Sequence, residues 1–353
     1  MRARSTAAAL HALLAASAIS AQVQPPNAAD LYEQAFAELR AAMRLHTQDA
    51  VRFEPLGLGD AAALRQSPWP ELLAKTAVAR GLFAQAARTE RCVFGEARMS
   101  PRVSHVKWWT ELGTMRGLIR SQAYGRLDDD ADAAVVAAET LLAHGRHFAQ
   151  QDKVLGSSLA MATAKDALEL LEATLQQHTG EKISPASLQR AQRALRRYQA
   201  VGPTPQRLFD QMVADARSAL SSGLAPDEGG QDPTRAALDR AVEIVAEVYA
   251  PVRTADADDI GESIGATEKR LEALKAKTNR RTAAAKRAAG QREVVATVMA
   301  ASVCSGASYL LDAWAKHHRT LTRVQAQLRA RAARPPQEEA PRADAPRRRG
   351  GGR

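Results

Sequence analysis

Histidine, cysteine and clustered carboxylates are the side chains of this 353-residue chain most able to do chemistry. His144 and His147 stand three residues apart, a spacing that puts two imidazoles on one face of a helix, where they could ligate one metal ion. No third ligand accompanies them, since Glu139 falls about 140° away from that face. The plainer reading places His144, Arg146 and His147 at a helix C-terminus, as positive groups against its dipole. Cys92 with His105 makes a conceivable nucleophile and base, although no protease-type signature surrounds Cys92 and buried thiols are common. Asp128, Asp129, Asp130 and Asp132 could bind calcium, yet the glycine and terminal glutamate of an EF-hand loop are missing, and helix capping accounts for them. No Gly-rich phosphate loop, GxSxG or HExxH occurs. No catalytic residue, metal ligand or cofactor is therefore expected.

The alternation that would mark strands is absent, and a chain with 4% aromatic residues and much Ala, Leu, Arg and Gln favours helices. The expected fold is all-α: antiparallel helical hairpins, long C-terminal helices and a disordered basic tail. Helices are expected over Asn27–His46, from Trp69 through Phe83, over His105–Arg126, from the aspartates to Gln150, and over Lys153–His178. Others follow Ser184-Pro185, which suit N-cap and first-turn positions, and span Pro205–Leu220 and Thr234–Val252. Long, Ala-rich helices follow Asp256, with a break at Gly290. The last, Gln291–Arg331, would be about 60 Å long.

Residues 1–21 read as a signal peptide: Arg2 and Arg4, a short apolar run from Ala7 to Ala18, then small residues suited to cleavage. That implies an exported protein, periplasmic or extracellular. In such a compartment Cys92 and Cys304 could pair as a disulfide or stay two separate buried thiols; both readings stand. Residues 22–225 are expected to form the hairpin domain and 226–233 (APDEGGQDP lies over 225–233) a linker. Residues 234–331 then form a long-helix basic subdomain and 332–353 the tail.

Two features of the C-terminal part bear on partners. Val294 to Leu311 holds no charged residue, which makes a membrane anchor the first rival reading. A seam through Leu310, Trp314, His317, Leu321, Val324 and Leu328 runs past Asp312, however, as in a helix packed against protein. The net charge of +10 is also unevenly spread. From Gly265 onward 20 Lys/Arg face 7 Asp/Glu, a net of +13, whereas residues 1–264 carry −3. Lys275, Lys277, Arg280, Arg281, Lys286 and Arg287, with Arg347, Arg348 and Arg349 in the tail, are the anion-binding candidates. A protein or an anionic cell-envelope polymer is the expected partner. Nucleic acid is not favoured, because the chain is exported and no aromatics interleave the basic residues. A solvated basic face, or one docked on the chain's own acidic half, is the competing explanation.

One stretch carries a resemblance. Arg91-Cys92-Val93-Phe94-Gly95 is followed by His105, a Leu/Arg-rich helix with Arg116, Gly125 and the aspartates. The run Leu141-Leu142-Ala143-His144-Gly145-Arg146-His147 then closes the series. This order resembles uncharacterised exported α-helical bacterial proteins, in which a Cys–aromatic turn precedes paired, weakly tetratricopeptide-like helices. The resemblance spans about residues 30–220 and implies a helical fold and export, with no activity attached. Trp109, Leu112 and Gly113 match the start of a tetratricopeptide helix, but Arg116 replaces the expected aromatic and no 34-residue period recurs. The function expected is that of an exported, non-enzymatic interaction or structural protein. The rivals are attachment through 294–311 and a metal- or thiol-dependent enzyme using Cys92, His105, His144 and His147.

Overall fold

The computed structural model describes residues 27–45, 63, 66, 68–94, 109–178, 183–221, 233–253, 255, 258–284 and 288–333. The signal-peptide segment 1–21, His105, Lys286, Arg287, the linker 226–232 and the tail from 334 with Arg347, Arg348 and Arg349 lie outside these residues. Among them the structure is all-α, with no strand.

The chain divides into two compact units, 1–53 with 71–115 and 54–70 with 116–353. In the first, α1 (Ala28–Met43) packs on α3 (Ala77–Arg88), preceded by the short α2 (Trp69–Lys75). Tyr32, Phe36, Leu39 and Met43 recur at helical spacing and are completely buried. The Tyr32 ring meets Phe83 at 5.1 Å and Phe94 at 6.2 Å between centroids. Asn27 starts α1: its side-chain oxygen accepts from the Ala29 and Val93 amides at 3.3 and 2.9 Å, and its amide donates to the Val93 carbonyl at 3.0 Å. The helix expected to run unbroken from Trp69 through Phe83 is interrupted at Thr76. There the hydroxyl donates to the Leu72 carbonyl at 2.8 Å and Arg80 Nη2 donates to the Leu73 carbonyl at 2.6 Å.

In the second unit the C-terminal part of α4 (Trp109–Arg126) is followed by α5 (Ala131–Ala149), α6 (Val154–Gln177), α7 (Pro185–Gln199) and α8 (Pro205–Ser221). These lead to α9 (Pro233–Arg253), α10 (Ile260–Ala284) and α11 (Ala288–Ala332). Asp130 and Ser184 cap α5 and α7 by accepting from Ala133 and Ser187 amides, as the sequence leads one to expect. Gly290 does not break the last helix: α11 runs straight through it for 45 residues, about 67 Å.

Helices on the two sides of residues 226–233 meet in the structure. Leu208, Phe209 and Met212 of α8 share one core with Ile244, Val248 and Tyr249 of α9, Ile260 and Leu271 of α10, and Ala296, Ala300, Leu311 and Trp314 of α11. Helices before and after these residues bury apolar side chains against each other. Helix α11 packs along α6, α7, α8, α9 and α10. Its seam is held by Trp314, Leu321, Val324 and Leu328, all buried, and Trp314 Nε1 donates to the Pro203 carbonyl at 2.7 Å.

Candidate functional site

His144 and His147 do share a face of α5, and that face points into the core: both are completely buried. The His144 ring meets Phe148 edge-on at 4.8 Å. Burial first, and then the neighbouring His147 and Arg116, hold His144 well below the ordinary imidazole range, so it is neutral at physiological pH. Arg146 Nη2 lies 3.3 Å from His147 Nε2. Arg146 and His147 stand in the last turn of α5, as the spacing leads one to expect, and both imidazoles are buried there. Among the described residues no group of three or more His, Cys, Asp or Glu side chains is placed to hold a metal ion.

Cys92 is buried in the first unit beside Phe94, also buried. Cys304 lies on α11 with its side chain outside the described set, and so its pairing with Cys92 lies outside it too. Asp130 spends its carboxylate on the Ala133 amide at 2.9 Å, and Asp132 accepts from the Ser184 amide at 3.0 Å, which ties the start of α5 to the start of α7. Burial pushes the Asp132 carboxyl up, but hydrogen bonds from Ser184 and Ser187 together with Arg190 prevail and hold it below its usual value.

The strongest polar centre was not evident from the sequence. Asp166 of α6 is clasped by two arginines of α4 one helical turn apart. Arg116 Nε and Nη2 reach Asp166 Oδ2 at 2.8 and 2.6 Å, and Arg120 Nη1 reaches Oδ1 at 3.0 Å. Arg116 Nη2 also donates to the Ala162 carbonyl at 2.7 Å. The only forewarning is the Arg116–Arg120 pair at i,i+4, whose like charges need a shared counter-ion. This triad fastens α4 to α6, and Arg120 Nη1 also lies 3.7 Å from Glu169 Oε2.

The basic C-terminal part differs. On α10, Ile260, Thr267 and Leu271 are buried, while Glu268, Lys269, Arg270 and Glu272 are exposed. Lys275, Lys277, Arg280 and Arg281 continue this helix, their side chains outside the described set. On α11, Lys316, Arg319, Arg323 and Arg329 are exposed. Arg323 forms a two-point pair with Glu172, at 2.9 Å through both Nε and Nη2, and Arg331 donates to the Leu175 and His178 carbonyls at 2.7 and 2.8 Å. The far end of α11 thus uses its cations to dock on α6, whereas α10 presents cations to solvent.

Within the charge-free 294–311 stretch, Ala296, Ala300 and Leu311 face the core. No helix among the described residues is long and apolar enough to cross a membrane. No protein-family model, curated protein or solved structure matches this chain, so its function has to be argued from the charge and burial just described.

Proposed function

We propose that the protein is an exported, non-catalytic α-helical interaction or structural module whose basic C-terminal region contacts an anionic component of the cell envelope. One observation carries the reading: α10 buries one face and turns Lys269 and Arg270 to solvent, leading into the run from Lys275 to Arg287. The polar centres of the core support the non-catalytic part, because His144, His147 and the Arg116–Asp166–Arg120 triad are taken up in helix packing. The export part rests on residues 1–21, whose basic start, short apolar run and small-residue end fit a signal peptide.

Retention of the purified chain on an immobilised acidic polysaccharide, compared at low and high salt, tests the binding. Salt-sensitive retention is expected, since exposed charges are screened within about 10 Å at 0.1 M. Failure to bind at low salt would overturn it. Fractionation of expressing cells tests export; accumulation of the uncleaved chain in the cytoplasm would refute it.

A further inference from the structure

A helix packed against protein normally turns charged or polar side chains to water. Helix α11 departs from this at three described positions. Val295, Val298 and Tyr309 are 41%, 61% and 76% exposed. At 100° per residue they fall within a sector of about 60°, opposite the face carrying the buried Ala296, Ala300, Leu311 and Trp314. No charged residue occurs in the sequence from 295 to 309, about 21 Å along the axis. Beyond Asp312 the sector changes to Lys316 and Thr320. The segment immediately before it, residues 265–294, holds nine Lys/Arg against three Asp/Glu. Helices α10 and α11 pack on each other, so this basic segment and the exposed apolar sector belong to one helical hairpin.

We infer that the α10–α11 hairpin docks on an anionic phospholipid surface, with Val295, Val298 and Tyr309 entering the headgroup boundary and the flanking cations meeting lipid phosphates. This rests on the proposed anionic partner and names its chemical class. Charge complementarity explains the basic segment, but a soluble polyanion would leave two valines and a tyrosine facing water. A membrane surface satisfies both, because apolar side chains and cations reinforce each other at an anionic interface and tyrosine suits the headgroup level. The helix lies on the surface; it does not span it.

The test is co-sedimentation of the full chain with phosphatidylglycerol-containing vesicles, with pure phosphatidylcholine vesicles as the neutral arm and soluble dextran sulfate as the non-lipid arm. Binding to the anionic vesicles alone is expected among the two lipids. Val298→Asp with Tyr309→Asp, both at exposed positions, should weaken it about tenfold or more. Lys275→Gln, Lys277→Gln, Arg280→Gln and Arg281→Gln together should abolish its salt sensitivity. Circular dichroism melts identical to the parent chain show that each variant is folded. Dextran sulfate binding without vesicle binding overturns the lipid inference and leaves the anionic-partner reading intact; binding to neither overturns both. Vesicle binding unchanged by the two aspartates in a folded variant also overturns the inference, since the apolar sector would then play no part.

Discussion

The Tyr198 hydroxyl of α7 lies 3.1 Å from His317 Nε2 of α11, and the two rings meet nearly perpendicular with centroids 5.6 Å apart. Burial holds the Tyr198 phenol above its ordinary value and so keeps it protonated. Burial, and then the charge of His318, push the His317 imidazole down to about 4. Its Nδ1 meets no hydrogen-bond partner among the described residues, which leaves an imidazolium N–H without an acceptor.

Stability should therefore depend on pH through His317. Its folded value lies below the unfolded 6.5, so the unfolded chain binds the extra proton first. The contribution is complete above about pH 6.5 and is lost as pH falls from there toward 4, amounting to at most ~3 kcal/mol. Urea midpoints across that range should fall with acid in the parent chain and fall less in His317→Gln. Equal acid slopes in both would remove His317 as the cause.

Thr163 sits completely buried on α6 with its hydroxyl unpartnered among the described residues. Thr163→Val keeps the shape and removes the stranded oxygen. It should raise stability by about 1 kcal/mol, read as a higher Tm. A lower Tm would mean that the hydroxyl has an acceptor.

Gly156 lies in the first turn of α6, against the end of α5. A Cβ there would stand 2.8 Å from the Phe148 carbonyl oxygen and 2.9 Å from Gln151 Cβ. Gly156→Ala should cost roughly 1–3 kcal/mol despite alanine's better helix propensity. Gly113→Ala, where a Cβ meets nothing within 4 Å, is the control and should be neutral or stabilising.

Asp166→Ala strands two arginine charges whose side chains are 18% and 24% exposed. The partial exposure softens the loss to about 2 kcal/mol in denaturant unfolding. Reverting the charge imbalance with Arg120→Met in the same chain should recover part of that loss; no recovery would show that Arg116 alone matters.

Much of the fold could be read from apolar spacing. The helical spacing of Leu155, Leu159, Ala162, Leu168, Leu171 and Leu175 marks α6, and Ser184-Pro185 marks the start of α7 within a residue. Thr76 escaped notice because the apolar positions on either side keep one register while the Arg80 side chain donates to the Leu73 carbonyl and the Thr76 hydroxyl joins its own amide on the Leu72 carbonyl. Gly290 misled in the opposite sense: its cost of about 1 kcal/mol in a helix is outweighed by the packing of α11 on its neighbours. The Arg116–Asp166–Arg120 triad joins residues 46 and 50 positions apart, and only tertiary packing chooses which carboxylate of α6 two arginines will share. Outward positions 295, 298 and 309 lie inside a stretch that reads as uniformly uncharged; only the core on the opposite side separates them from Ala296 and Ala300.

Helix α11 comes last in chain order among the described elements, yet it flanks five earlier ones. During synthesis, α6 to α9 leave the ribosome with an apolar flank that has no cover until residues past Trp314 have emerged. The second unit consequently completes its core only once α11 has emerged, through contacts of long sequence separation that form slowly. A nascent chain stalled or cut before α11 would expose that flank to chaperones, proteases and other copies of itself.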